Sequence, residues 1–357
     1  MDEEEILVTG ASGFIGGWIV ESLCLNDSAN VRAGIRRWSG AARLGRFPIE
    51  IVLCDVLDRK QIMKAMQGVN CVIHCATGSS EIIIQGTKNM LNIAQRLGVE
   101  RFVYISTTEV YGDQSGKIDE SFPCQYTGSP YGDSKIEAEN LCWKFYKKGL
   151  PVTVIRPSIV YGPFSKDWTI RLAQSLQSGN WGIFKGIADG ACNLIYISEL
   201  VSGILLAAHH EDAVGEAFNM VGPEIISWNQ YFQRFNTALG LPKLRITSSS
   251  RAKLNASMME PVRSSAKFVL AHFTRPLKKI SKKYRVVRKV MRSFEQTIKT
   301  SPRLQGLSLY SRNALYLSTK AQNRLGFRPK IDVENGLGLT VKWLNHLMLV
   351  DRDTLGS

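Results

Sequence analysis

The stretch from Gly10 to Gly16, Gly-Ala-Ser-Gly-Phe-Ile-Gly, constrains this chain more than any other. It follows the short apolar run Ile6-Leu7-Val8 and precedes an apolar-periodic segment reaching Leu23. A strand that turns through Gly10, Gly13 and Gly16 into a helix brings backbone N–H groups against a pyrophosphate. The helix N-terminus adds partial positive charge there. Ser12, Phe14 and Ile15 complete the loop and count with it as cofactor contacts. Downstream, the segments Val31 to Ile35, Ile49 to Cys54, Cys71 to Cys75, Phe102 to Ser106 and Pro151 to Ile155 read as strands. Helical segments such as Gln61 to Met66 and Gly86 to Leu97 separate most of them. Asn193 to His209 reads as strand then helix, and Ala217 to Val221 as a last strand. The expected fold is α/β: a Rossmann doubly wound parallel sheet with a smaller interleaved substrate domain. Residues 1–162 and 191–222 would form the dinucleotide-binding domain, and 163–190, 223–250 and 304–350 the substrate domain.

The end of the second strand discriminates between the two nicotinamide dinucleotides. An NAD enzyme usually places an acid there to hold the ribose hydroxyls. Here the chain reads Val31-Arg32-Ala33-Gly34-Ile35-Arg36-Arg37. With no carboxylate and a guanidinium suited to a 2′-phosphate, Arg36 favours NADP, with NAD as the alternative. Ser12 would add a hydroxyl. Asp55-Val56, after the third strand, is placed to meet the adenine, and Cys75-Ala76-Thr77, after the fourth, to line the ribose. Cys71, His74 and Cys75 suggest a metal, but they share one short strand with alternating faces and no second cluster supplies ligands. No metal site is expected.

About 120 residues beyond the glycine loop stands Tyr131-Gly132-Asp133-Ser134-Lys135. On a helix, Tyr131 and Lys135 face the same way. A phenol of ordinary pKa near ~10 is a poor base at neutral pH. A neighbouring ammonium and a positive nicotinamide would lower that value. Lys135 would also hold the nicotinamide ribose.

These pieces together resemble the extended short-chain dehydrogenase/reductases, the NAD(P)-dependent epimerase/dehydratase family. The resemblance rests on Val8 to Gly16, Asp55-Val56, Ile105 to Gly112, Tyr131 to Lys135, Arg156 to Pro163 and Asn193 to Leu200, with a weaker match at Lys320 to Phe327. It implies a catalytic set of Thr107, Tyr131 and Lys135, and cofactor contacts from Pro157, Ile159 and Val160. Thr107 would hydrogen-bond the substrate oxygen, Tyr131 would exchange its proton, and the nicotinamide would exchange hydride at the same carbon. Many members of the family act on nucleotide-linked sugars, so a nucleotide sugar is the expected small-molecule partner, for a 4-ketoreductase or epimerase. Where sugar dehydratases carry Asp-Glu after the threonine, this chain has Thr108-Glu109. That disfavours dehydration and leaves Glu109 as a candidate base. Ile83 stands where relatives have an asparagine before Gly86-Thr87. Arg36 resembles the NADP-using ketone reductases of flavonoid type, which tilts the expectation towards net reduction. A ketoreductase of an apolar or lipid-linked substrate is the alternative. A non-catalytic NADP-sensing scaffold is the third reading, and the intact Thr107, Tyr131 and Lys135 set opposes it.

The charge is uneven. Of a net +14, residues 251–303 hold +13, with 15 Lys/Arg against Glu260 and Glu295. Within this basic insertion, Leu277, Ile280, Tyr284, Val287, Met291, Phe294 and Ile298 trace one apolar stripe on a helix. The pattern suits a helix packed on its own domain, an anionic membrane met through 276–300, or a homodimer. Nucleic acid is not expected, because aromatic residues are few there and no binding motif appears. The acidic start Met1-Asp2-Glu3-Glu4-Glu5 does not resemble a secretory signal, and seven irregularly spaced cysteines suit reduced thiols. A cytoplasmic protein is expected, with a peripheral place on the cytosolic membrane face as the variant.

Overall fold

A computed structural model describes residues 4–26, 29–261, 263 and 300–347. In chain order its strands are β1 (Glu5–Thr9), β2 (Asn30–Ile35), β3 (Glu50–Leu53), β4 (Cys71–His74), β5 (Arg101–Ile105), β6 (Gly116–Ile118), β7 (Val152–Pro157), β8 (Ile159–Tyr161), β9 (Gly182–Lys185), β10 (Ala191–Tyr196), β11 (Ala217–Met220), β12 (Ile225–Ser227), β13 (Arg245–Ser248) and β14 (Ala314–Tyr316). The first seven helices are α1 (Phe14–Leu25), α2 (Arg59–Met66), α3 (Ser80–Leu97), α4 (Pro130–Tyr146), α5 (Leu172–Gln177), α6 (Ile197–His209) and α7 (Trp228–Ala238).

The chain divides into two compact units. The first comprises 1–160, 193–223 and 314–331, and contains a seven-stranded sheet ordered β11-β7-β5-β4-β1-β2-β3. Every neighbouring pair in that sheet is parallel. The order runs outward from β1 in both directions, which makes it a doubly wound Rossmann sheet with its crevice beyond the carboxyl ends of β1 and β4. Parallel strands are covered on both faces, so they read as continuous apolar runs. All four residues of β4 and all six of β7 are buried. One core layer joins Leu7, Val72, Phe102, Tyr104 and Val154 to Met90 and Ala94 of α3 and Ala138 and Cys142 of α4.

The second unit comprises 161–192, 224–313 and 332–357. Its β9 and β13 form a parallel two-stranded sheet. Helix α7 turns Trp228, Tyr231, Phe232 and Phe235 inward at helical spacing, each fully buried. Ser227 and Gln230 close its N-terminus with a reciprocal capping box.

Two local expectations change. Residues 314–331, assigned from the sequence to the substrate domain, lie in the first unit. There β14 pairs with β6, and the helix Thr319–Leu325 packs against β11 and α6. Helix α3, read from Gly86, begins six residues earlier, because Ser79 caps it through Ile82 N. The apolar stripe from Leu277 to Ile298 lies outside the described residues. No described helix is long and apolar enough to cross a membrane.

Candidate active site

The phosphate cradle is made of backbone. Gly10 has φ +66°, a conformation side chains disfavour, and a Cβ there would lie 2.9 Å from Ala76 N. A Cβ on Gly16 would lie 2.5 Å from Gly10 O. The loop therefore closes on itself and against the end of β4, where Cys75 N donates to Thr9 O over 3.3 Å. Gly13 is the N-cap of α1, no side chain caps that helix, and its first turn carries no acid. An uncapped helix start behind a side-chain-free turn fits a pyrophosphate by its own donors. Ser12 sits on the exposed side of the loop beside Gly40, whose Cβ would come 2.8 Å from the Ser12 Cβ. Arg36 and Arg37 follow β2, both exposed. Val56 is buried under Gly86, and its carbonyl accepts from Asn89 Nδ2 over 3.1 Å. Asp55 accepts from Leu57 N. Cys75 and Ala76 are half-buried and Thr77 is exposed. Pro157 ends β7, with Ile159 and Val160 just beyond it.

At the other end, β5 and α4 bring Thr107, Glu109, Tyr131 and Lys135 together. Helix α4 starts where it does because Ser129 caps it, with Pro130 at the first position. This puts Tyr131 and Lys135 on one face. Lys135 is 3% exposed, and its Nζ donates to Ile105 O over 2.7 Å. The same ammonium lies 4.7 Å from the Tyr104 ring centre and 5.9 Å from that of Tyr131. Burial lowers the Lys135 pKa to about 8, although Cys75, Glu139 and Cys142 oppose the shift.

Tyr131 is 40% exposed, and the protein around its hydroxyl desolvates that end of the side chain. Burial pushes its pKa up to about 12, the Glu109 charge adds to that, and a hydrogen bond with the Thr107 side chain works against it. In the protein alone, desolvation of the phenolate outweighs an ammonium turned towards the Ile105 carbonyl. The phenol is protonated at neutral pH.

Glu109 follows Thr107 in a short helical turn, Thr108–Tyr111, whose start Thr107 caps by accepting from Glu109 N. Ser129 Oγ donates to Glu109 Oε1 over 2.7 Å while accepting from Gly132 N over 3.3 Å. One hydroxyl thus joins the carboxylate to the start of the Tyr131 helix.

Several residues around this set escaped the motif reading. Ser106 Oγ donates to Glu139 Oε1 over 2.5 Å. Arg156 clamps both Glu139 oxygens and donates to Tyr111 Oη over 2.9 Å. Tyr111 in turn donates to Asn219 Oδ1 over 2.8 Å. Glu139 and Arg156 are almost fully buried, so the pair fixes α4 against the ends of β5 and β7. Glu139 stands four residues after Lys135, a spacing that marks the same helix face. His74, also buried, lies between Thr9 Oγ1 at 2.7 Å and Thr87 Oγ1 at 3.2 Å. Burial, helped by the Lys135 charge, lowers its pKa to about 3. His74 is a neutral structural bridge, and no metal-ligating cluster occurs among the described residues.

A glycine cradle at the carboxyl edge of a parallel sheet, with a Tyr/Lys pair across the crevice, defines a nicotinamide-dinucleotide oxidoreductase of the Rossmann class. The sequence pattern of the NAD dependent epimerase/dehydratase family matches residues 6–221, and the chain belongs to that family. It is 24% identical to a 3beta-hydroxysteroid-dehydrogenase/decarboxylase of Arabidopsis thaliana over 97% of this chain, which spans 63% of that relative's length. It is 29% identical to an uncharacterized UDP-glucose epimerase of Bacillus subtilis over 62% of this chain and 77% of the relative. The fold is shared with a UDP-glucose 4-epimerase of Thermotoga maritima solved with UDP-glucose, at TM-score 0.71 and 22% identity, covering 96% of this chain and 99% of that one.

Proposed function

We propose that this enzyme exchanges hydride at a carbinol or keto carbon of a nucleotide-linked sugar, prefers NADP, and runs towards reduction as a 4-ketoreductase or epimerase. The observation that carries the reading is the placement of Tyr131 and buried Lys135 on one face of α4, with the Lys135 ammonium 5.9 Å from the Tyr131 ring centre and held by Ile105 O. A proton donor, not a base, stands ready at neutral pH. In reduction the carbonyl carbon takes hydride and its oxygen takes the Tyr131 proton; oxidation returns both. A nicotinamide held there would supply or accept the hydride. Thr107 orients the oxygen, and Lys135 holds positive charge behind the phenol and towards the cofactor ribose. Gly10, Ser12, Gly13, Phe14, Ile15 and Gly16 hold the pyrophosphate. Arg36 takes the 2′-phosphate, Asp55 and Val56 the adenine, Cys75, Ala76 and Thr77 the ribose, and Pro157, Ile159 and Val160 the nicotinamide side. Glu109, anchored by Ser129, is a carboxylate base for proton removal beside the carbonyl, which suits epimerisation.

The sugar assignment draws on relatives named as UDP-glucose epimerases. A second reading, an apolar secondary alcohol, is favoured by the hydroxysteroid relatives that match 97% of the chain. The two separate in a turnover screen with NADPH or NADP and parallel panels of UDP- and dTDP-4-ketosugars, their parent sugars and 3β-hydroxysterols. Nicotinamide absorbance follows net redox change, and NMR detects epimers formed without it. Turnover confined to sterols overturns the sugar reading.

A further inference from the structure

Three large apolar side chains stand out of the second unit within 13 residues: Ile246 is 74% exposed, Leu254 59% and Met258 64%. They belong to one short run. Among the described residues strand β13 is paired only with β9, and it leads directly into a helical stretch over 249–261. On that helix Ala252, Ala256 and Met259 turn inward, with Ala252 and Ala256 buried. Leu254 and Met258, four residues apart, share the opposite face with Arg251. Lys243, Arg245, Arg251 and Lys253 are all exposed, and none has an ion-pair partner among the described residues. From 243 to 259 there is no acidic residue.

Exposed apolar residues scattered singly need no explanation. A strand and helix that expose three of them among four unpaired cations, with no acid, match the composition of a surface that lies on a bilayer. We propose that the segment 243–259 docks the second unit onto an anionic lipid surface, with Ile246, Leu254 and Met258 entering the headgroup boundary and the four cations meeting lipid phosphates. Charge complementarity selects the occupant. A polyanion such as nucleic acid would use the cations and have no place for Leu254 and Met258. A second copy of the chain would bring the same four positive charges against themselves.

The test is co-sedimentation of the full chain with vesicles of phosphatidylglycerol and phosphatidylcholine, and with phosphatidylcholine alone. The wild type should bind the anionic vesicles and not the neutral ones, and added salt should weaken binding. The Leu254→Ser/Met258→Ser variant should lose tenfold or more in vesicle partitioning. Arg251→Gln/Lys253→Gln should lose a smaller factor and show a flatter salt dependence. Both variants should keep the wild-type melting temperature and NADPH affinity, since all four side chains are exposed. Three results overturn the proposal: no binding by the wild type, equal binding by the Leu254/Met258 variant, or a change of oligomeric state in that variant without loss of vesicle binding. Equal binding would assign the contact to the basic sequence beyond residue 263.

Discussion

The two ends of the crevice in the first unit are built on opposite principles. The cradle end is backbone: glycines remove side chains, an uncapped helix offers N–H groups, and Arg36 and Arg37 beside it are exposed. The proton-transfer end is side chain: Lys135, Glu139, Arg156 and His74 are all nine-tenths or more buried, and hydrogen bonds set their geometry. A backbone site keeps its shape when charges around it change and loses it on added bulk. A buried polar site fails on any unpaired group, because each would face the desolvation cost alone.

That contrast breaks most sharply at Tyr131. Tyr131→Phe removes the transferable proton and leaves the cradle untouched. Turnover should fall by about a hundredfold or more, while NADPH affinity, measured by fluorescence titration, stays within about twofold. Near-normal turnover would remove Tyr131 from the mechanism.

The buried pair comes next. Glu139→Gln leaves Arg156 without its anion, and breaking such a pair costs about 3–5 kcal/mol. Denaturant unfolding should show a loss of that order. Replacing exposed Arg37 by Gln at the other end should cost less than about 0.5 kcal/mol. Equal, small losses would mean that the network does not hold α4 in place.

The cradle end is sharpened by Arg36→Asp, which loses a charge-assisted contact worth about 1.5–3 kcal/mol, roughly ten- to a hundredfold in NADP affinity. NAD affinity should hold or improve. A wild type that already binds the two dinucleotides equally well contradicts the role given to Arg36.

Ser129 separates capping from anchoring. Ser129→Asp keeps an acceptor for Gly132 N but places an anion beside Glu109, so helix stability should hold while any epimerase activity falls. Ser129→Thr should restore both. His74 gives a pH test of stability. Its folded pKa, about 3, lies below the ordinary 6.5, so the unfolded chain takes up the proton first. Stability should therefore fall as pH drops below 6.5, by at most about 1.4 kcal/mol per pH unit from this group. His74→Asn should flatten that slope.

The cradle was legible because backbone chemistry is written in glycine spacing: Gly10, Gly13 and Gly16 need no partner elsewhere in the chain to be understood. The doubly wound parallel sheet followed from the alternation of apolar runs and helices. The pairing of Tyr131 with Lys135 was legible for the same reason, since an i, i+4 spacing is local. What surrounds them was not. Ser106, Glu139 and Arg156 meet only after β5, α4 and β7 pack, and nothing local to Arg156 announces a carboxylate 17 residues away in sequence. The sequence shows that an ammonium stands near Tyr131, but not how far the surrounding protein desolvates the hydroxyl. Residues 314–331 were misplaced because β14 pairs with β6 across almost 200 residues of chain.

The account turns on a Tyr131 hydroxyl that stays protonated through neutral pH. Tyrosine ring-carbon NMR of the isotope-labelled, ligand-free protein, with Tyr131→Phe to identify the signal, measures this directly. The Tyr131 resonance should show no phenolate at or below the pH of about 8 at which Lys135 loses its proton, and should titrate only towards about 12. A phenolate already forming near neutral pH would contradict it and make Tyr131 a base poised for oxidation.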